Sequence, residues 1–289
     1  MIIVAKKYAY FPGNVARGSS SEVEDTMIPL CRSLGITLVE LKGATSCGAG
    51  IIKQANRMVQ LTLNARTFAL AEAMELDIIT PCSTSKGTLH DDLVTLREDA
   101  VLRDKVNNTL SSTTGLKFEG TVQVHHLLHV LIEEIGEEKI RDKVVNELNL
   151  SVAGYYGPNM QKPGACGDDN PWSPNYFERL IKVLGGNSIN YDSKTQSVGY
   201  PSLLSQEKTA MKMTANVLSD AKQEGAQVLS TACTLSHSCL DTYQALSSKV
   251  SGKDTDIPVI HMTELIAYAL GHYVDRFALL RTRAVLLGA

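Results

Sequence analysis

Cysteine is scarce in this chain: six residues in 289, namely Cys31, Cys47, Cys82, Cys166, Cys233 and Cys239. Such low density in a long sequence excludes a disulfide framework and reads as reduced thiols. Neither sign of charge is in excess, with 28 Lys and Arg against 31 Asp and Glu and a net charge of −3. A nucleic-acid binder would want a basic face, so that class is set aside. No run of 18 apolar residues occurs, so no transmembrane helix is expected. The start, Met1 to Lys7, lacks a charged region followed by a long apolar stretch, so no signal peptide is expected. These absences predict a cytoplasmic protein, peripheral to a membrane only through a partner. There is no Gly-rich phosphate loop, no GxSxG elbow and no Walker sequence. Gly13 and Gly18 are too sparse for a dinucleotide fingerprint.

What is present is ordinary globular composition, 44% hydrophobic and 20% charged. A chain of this size buries about 75% of its unfolded surface and needs no staple. Segments rich in β-branched residues alternate with helical patterns. Strands are predicted at Ile2–Ala9, Thr37–Leu41, Asp77–Thr80, Val122–Val124, Ser151–Tyr155, Ser188–Tyr191, Gln227–Thr231 and Pro258–His261. Helices are predicted at Ser21–Leu34, Ile51–Met74, Lys86–Asn107, Leu127–Leu148, Asn175–Leu184, Leu203–Glu224, Ser238–Lys249 and Thr263–Gly271. The alternation implies an α/β fold with mainly parallel strands.

An internal repeat divides the chain. Leu34-Gly35 matches Leu184-Gly185 at an offset of 150. Ser46-Cys47-Gly48 matches Ser197-Val198-Gly199, and Ile79 to Ser85 matches Ser230 to Ser236, both at an offset of 151. Two similar lobes are therefore expected, 1–149 and 150–289, with parallel sheets flanked by helices and related by a pseudo-twofold axis. Between Gly157 and Asn175 stand four prolines and further glycines, which predict a long loop. Cys166, Asp168 and Asp169 lie in it.

Cys82 and Cys233 each follow a predicted strand and precede a helix. Ligands collect at the carboxyl ends of strands in an open α/β sheet. A thiol near a helix N-terminus has its thiolate stabilised by free amides. Gly48 and Gly199 permit a tight turn close to the same spot. A buried structural cysteine is the competing reading at both positions. His125 and His129, four apart, are placed on one face of a helix, where packing is preferred to metal ligation, and no metal site is assigned. The acidic run Glu133, Glu134, Glu137 and Glu138 reads as a solvated helix face. Tyr273–Ala289 reads as an amphipathic helix that packs on its own lobe or docks a partner.

The order Tyr10 to Asn14, then Ser46-Cys47-Gly48-Ala49, then Pro81-Cys82-Ser83-Thr84-Ser85 resembles a cysteine-rich CCG domain. The second half repeats it with Tyr155 to Pro158, Ser197-Val198-Gly199 and Cys233-Thr234-Leu235-Ser236. The segments Val124 to Leu128 and Val259 to Leu265 fit the same pattern. The chain is similar to the CCG-bearing B subunit of heterodisulfide reductase. It also resembles the related CCG subunit of succinate or fumarate:quinone oxidoreductases. The resemblance implies an electron-transport role in an oxidoreductase complex with flavoprotein or iron–sulfur subunits as partners. It also implies thiolate ligands for an iron–sulfur cluster in each lobe. Here the ligand positions read Asn14, Ser46, Cys47, Cys82 and Ser85 in the first lobe. They read Pro158, Ser197, Val198, Cys233 and Ser236 in the second. Four thiolates are present in neither set.

Three readings follow. In the first, the chain is a structural or docking subunit of a heterodisulfide-reductase-like or succinate-dehydrogenase-type complex, with no resident cofactor. In the second, it transfers electrons through an atypical 4Fe-4S cluster in the first lobe, with Cys47, Cys82 and Cys233 as candidate cofactor-binding residues. In the third, Cys47 and Cys82 are catalytic thiols, brought together by the two loops of the first lobe, and form a redox disulfide or carry a persulfide.

Overall fold

The computed structural model describes residues 6–272. The first four-stranded sheet comprises β1 (Lys6–Tyr10), β2 (Ile36–Glu40), β3 (Ile78–Thr80) and β4 (Val124–His126), in the order β2-β1-β3-β4. Its helices are α1 (Glu22–Ser33), α2 (Arg57–Glu72), α3 (Ser83–Glu98) and α4 (Ala100–Thr114). The second sheet comprises β5 (Ser151–Tyr155), β6 (Asn187–Ile189), β7 (Val228–Thr231) and β8 (Val259–His261), in the same order, β6-β5-β7-β8. With it run α5 (Tyr176–Val183), α6 (Glu207–Gln223), α7 (Thr234–Thr242), α8 (Gln244–Ser251) and α9 (Met262–Ala269). Every pairing in both sheets is parallel. The chain thus forms the two similar α/β lobes that the repeat implies.

Helices cover both faces of each sheet, so the inner strands are buried on both sides. All residues of β3, β7 and β8 are buried. In each lobe the chain leaves the first strand, pairs on one side, then crosses to the other side of that strand. This creates a switch point between β1 and β3, and another between β5 and β7. The crevice at such a point opens at the carboxyl ends of the strands. Among the described residues no helix is long and apolar enough to cross a membrane.

One apolar layer belongs to both lobes. Tyr8, Leu127 and Leu131 of the first pack in a single cluster with Val152, Phe177, Val228, Ile260 and Leu265 of the second. Helix α1 packs on α9 across the boundary, and Thr26 Oγ1 donates to Thr263 Oγ1 at 2.8 Å. Each lobe then has its own outer core, around Phe68 and Phe118 in the first and Val217 and Leu229 in the second.

Two histidines cross the boundary in opposite directions. His126 ends β4, and its Nε2 lies 2.9 Å from the carbonyl of Ala232. His261 ends β8, and its Nε2 lies 3.1 Å from the carbonyl of Pro81. In both rings Nδ1 accepts a backbone N–H at the start of the next helix, from Leu128 at 3.1 Å and Thr263 at 3.3 Å. That acceptor role fixes the proton on Nε2, where it meets the opposite lobe's carbonyl.

Four predicted helices are broken. Asn56 interrupts Ile51–Met74, and its side chain accepts the N–H of Val59 as the cap of α2. Asp99 interrupts Lys86–Asn107, and its Oδ1 accepts the N–H of Leu102 as the cap of α4. The segment predicted as Ser238–Lys249 begins earlier, at Thr234, and divides at Tyr243. The segment Leu127–Leu148 is a short helical turn, a π-helix over Val130–Ile135, a reversal at Gly136 (φ 84°) and a last turn, Glu137–Arg141. His125 therefore lies on β4 rather than on a helix with His129. The predicted C-terminal helix, Tyr273–Ala289, lies outside the described residues, as do the first residues of the first predicted strand.

The long loop between Gly157 and Asn175 packs on α3. A Cβ at Gly87 would stand 2.7 Å from the carbonyl oxygen of Asn159 and 3.1 Å from its Cβ. Gly87→Ala therefore forces backbone apart even though alanine favours helix. A loss of about 1–3 kcal/mol is expected by urea unfolding.

Burial pushes His126 down to about 4 and holds His129 and His261 well below the usual histidine range. The unfolded chain binds a proton at each near pH 6.5, while the folded chain does not until the pH is much lower. Stability is thus full above the unfolded value and is lost as the pH falls below it. For His126 this loss is about 2 kcal/mol between about pH 7 and about pH 5, and His129 and His261 act in the same direction. The raised carboxyls of Asp92 and Asp169 work in the opposite direction at the acidic end. Urea unfolding of His126→Gln beside the parent should show a shallower loss on acidification, by one histidine's share.

Candidate functional site

The switch point of the first lobe is built from three segments. Gly13 (φ 81°) turns the chain after β1 and leads to Asn14. The loop after β2 carries Ser46 and Cys47, then reverses at Gly48 (φ 70°), whose N–H donates to Ser46 Oγ at 3.1 Å. A Cβ on Gly48 would stand 2.8 Å from the Gln60 side chain, so glycine is required there for space as well as for backbone. The third segment is the β3–α3 junction, where the N–H of Cys82 donates to Thr80 Oγ1 at 3.3 Å. Asn14, Ser46, Cys47, Cys82, Thr84 and Ser85 line one cleft of about 190 Å³, to which Tyr200, Thr234 and Leu235 of the second lobe contribute.

The second lobe repeats the construction. Gly199 (φ 85°) donates its N–H to Ser197 Oγ at 3.1 Å, and Cys233 N–H donates to Thr231 Oγ1 at 3.1 Å. Pro158, Ser197, Val198 and Ser236 line a cleft of about 210 Å³. Cys233 is fully buried and stands apart from that lining.

Cys47 and Cys82 both line the first cleft. Cys47 Sγ faces Ser85 Oγ at 3.7 Å. Cys82 Sγ lies 3.8 Å from Cys233 Sγ, across the lobe boundary. Cys82 and Cys233 occupy the same position of the repeat, 151 residues apart. A pseudo-twofold axis brings equivalent positions together where it passes, and the shared offset is the sequence signal for this contact. Cys31 and Cys239 are core thiols, both pushed up by burial. Cys166 sits in the long loop, its sulfur 3.7 Å from the Gly167 carbonyl.

Electrostatics distinguishes the two facing sulfurs. Burial alone would raise both. Hydrogen bonds from Cys82, Ser236, Ser83 and Thr84 outweigh it at Cys233 and hold that thiol well below the usual value. The Ser236 N–H lies 3.4 Å from the Cys233 sulfur at the N-terminus of α7, and Thr84 Oγ1 lies 3.1 Å from it. The bond to Cys233, followed by burial, pushes Cys82 up. Cys47 is raised by burial.

The ligand chemistry of the two clefts does not fit an ordinary iron–sulfur cluster. The first offers two thiols among its lining residues, and the second offers none. The side chains of Val198 and Pro158 carry no ligand atom, while serine would have to bind as an alkoxide. Four thiolates are the usual requirement.

The remaining sequence candidates have structural partners. Glu134 accepts the Tyr8 hydroxyl at 2.6 Å and pairs with Lys6. Glu133 accepts the N–H of Asp168 at 2.7 Å, and Glu137 meets Arg179 at 2.5 Å. Asp169 accepts the backbone N–H groups of Asn175 and Tyr176 at the start of α5. His129 is buried against Tyr176 and His126.

The sequence profile of the cysteine-rich CCG domain matches residues 8–90. Over 268 residues the chain is 32% identical to the 8-methylmenaquinol:fumarate reductase membrane anchor subunit of Wolinella succinogenes, covering 92% of this chain and 93% of that one. It is 28% identical over 279 residues to the B subunit of the ferredoxin:CoB-CoM heterodisulfide reductase of Methanosarcina mazei, covering 94% of this chain and 92% of that one. A protein of Archaeoglobus profundus described as like the heterodisulfide reductase B subunit is 26% identical, covering 94% of this chain and 93% of that one. A hypothetical protein from Helicobacter pylori has the same fold, with a TM-score of 0.73 at 14% identity. That match covers 96% of this chain, which spans about half (51%) of that one. The matching fold, the paired strand-end clefts and the full-length likeness agree: the chain belongs to the CCG cysteine-rich-domain family.

Proposed function

We propose that this chain is a subunit of a multisubunit reductase, of the heterodisulfide- or fumarate-reductase kind named for its relatives. Its role there is to assemble and hold partner subunits rather than to carry a four-thiolate cluster. One observation carries this reading. Both strand-end clefts are formed, while the residues lining them supply two thiols in one lobe and none in the other. Two formed clefts without four thiolates favour a role for the surface of the fold over one for a cluster.

The surface supports docking. Trp172, on the long loop, is 93% exposed, and Leu204, at the mouth of the neighbouring cleft, is 84% exposed. A large indole held out into solvent is costly alone and is a common anchor of protein interfaces. The loop that carries it is fixed from below by the Asp169 cap on α5, so the indole is presented from a fixed base.

The test is iron and acid-labile sulfide on the anaerobically purified native complex, with the chain resolved from its partners. No iron attributable to this chain is expected. About four irons on it would overturn the reading in favour of an atypical cluster at Cys47 and Cys82. Separately, Trp172→Ala should leave the circular dichroism and unfolding midpoint of the chain unchanged. It should weaken capture of the partner subunits by at least about tenfold, as loss of an interface anchor does.

A further inference from the structure

We propose that Cys82 and Cys233 form a two-electron thiol redox site that a small uncharged hydroperoxide, entering the first-lobe cleft, converts to a disulfide joining the lobes. This goes beyond the assembly role and stands independently of it.

Geometry carries the argument. The two sulfurs face each other at 3.8 Å and need to approach to about 2.05 Å to bond, a movement within the range of side-chain torsions. They are not equivalent toward solvent. Cys82 is 3% exposed and lines the cleft of about 190 Å³, whereas Cys233 is fully buried behind it. A reagent in the cleft therefore meets Cys82 first, with Cys233 placed to attack from the far side. The residues lining that cleft include no lysine, arginine, aspartate or glutamate. An anionic disulfide such as glutathione disulfide finds no counter-charge there, and its bulk does not suit a sulfur so little exposed. A hydroperoxide needs neither.

The chemistry balances. The Cys82 sulfur attacks the O–O bond of ROOH. A Cys82 sulfenic acid forms, and RO leaves with the Cys82 thiol proton as ROH. The Cys233 sulfur then attacks the sulfenic sulfur, the S–S bond forms, and the sulfenic oxygen leaves as water with the Cys233 proton. Two electrons pass from the sulfur pair to the peroxide. The Ser236 N–H and the Thr84 hydroxyl meet the Cys233 sulfur from the two opposite lobes. The surroundings of the resolving sulfur are thus assembled only when the lobes are together.

The experiment uses the reduced full-length chain and stoichiometric hydrogen peroxide, read by thiol titration, intact mass and peptide mapping. The free thiols should fall from six to four, with a mass loss of about 2 Da and a single cross-linked peptide joining Cys82 to Cys233. Thermal unfolding should shift upward and return on reduction. Cys233→Ala should stop the reaction at a sulfenic acid on Cys82, captured by dimedone. If that variant does not fold, Cys47→Ser serves instead, and its disulfide should form unchanged. The site is overturned if no thiols are lost, if oxygen adds to Cys82 in the parent without a cross-link, or if Cys47 is the partner found. Equal or faster oxidation by glutathione disulfide would overturn the hydroperoxide assignment.

Discussion

The position of the site depends on two imidazoles that cross the lobe boundary. A buried carbonyl at the end of a strand must find a donor. The Ala232 carbonyl, at the end of β7, finds two in the opposite lobe: His126 Nε2 and the backbone N–H of Ser83 at 3.0 Å. The Pro81 carbonyl, just past β3, finds His261 Nε2. Each ring can act only as the neutral Nε2–H tautomer, because its Nδ1 is already committed to a helix N-terminus. Those constraints lock the ends of β3 and β7 against each other. The next residue in each strand is Cys82 or Cys233, and so the two sulfurs meet. The thiol pair is a consequence of satisfying backbone carbonyls on a pseudo-twofold axis.

Much of the fold is legible in the sequence because its signals are local or repeated. The strands read from β-branched runs fall within a few residues of their places, and Ser151–Tyr155 coincides with β5. The repeat at 150–151 residues announces two like lobes, and the strand-end position of Cys82 and Cys233 follows from alternation alone. The helix breaks at Asn56 and Asp99 are also written in the sequence. Both are cap residues whose short side chains compete for backbone N–H groups. The apolar pattern running through them hides the breaks. The π-helix at Val130–Ile135 has no such marker, because it answers to the shared inter-lobe core that Val130, Leu131 and Ile132 enter.

Side-chain pairing is least legible. The family resemblance places Cys47 and Cys82 at one cleft, which is where they are. Cys47 turns its sulfur toward Ser85, while Cys82 turns toward the other lobe. The direction depends on where the axis passes, which no single lobe's sequence contains. The boundary-crossing roles of His126 and His261 escape sequence reasoning for the same reason. Each lies within a segment that carries the family resemblance, yet their partners are backbone carbonyls of the opposite half, which carry no residue-type signal.

The clefts are formed without four thiolates because their walls rest on backbone, not on the side chains at the ligand positions. The Cys47 carbonyl accepts Asn64 Nδ2 at 3.0 Å and Gln60 Nε2 at 3.3 Å. Asn64 in turn donates to Asp92 at 2.5 Å, and Asp92 is fully buried and paired with Arg57. In the second lobe the Val198 carbonyl accepts Thr214 Oγ1 at 2.8 Å, at the position equivalent to Asn64. The loop is held by its carbonyl in both halves, so cysteine can become valine beside it without moving the chain. Asp92 is fully buried while Arg57 reaches it from a partly exposed position, so removing Arg57 leaves a buried carboxyl without its charge partner. The sulfur of Cys82 is positioned by the contact across the axis rather than by the cleft walls.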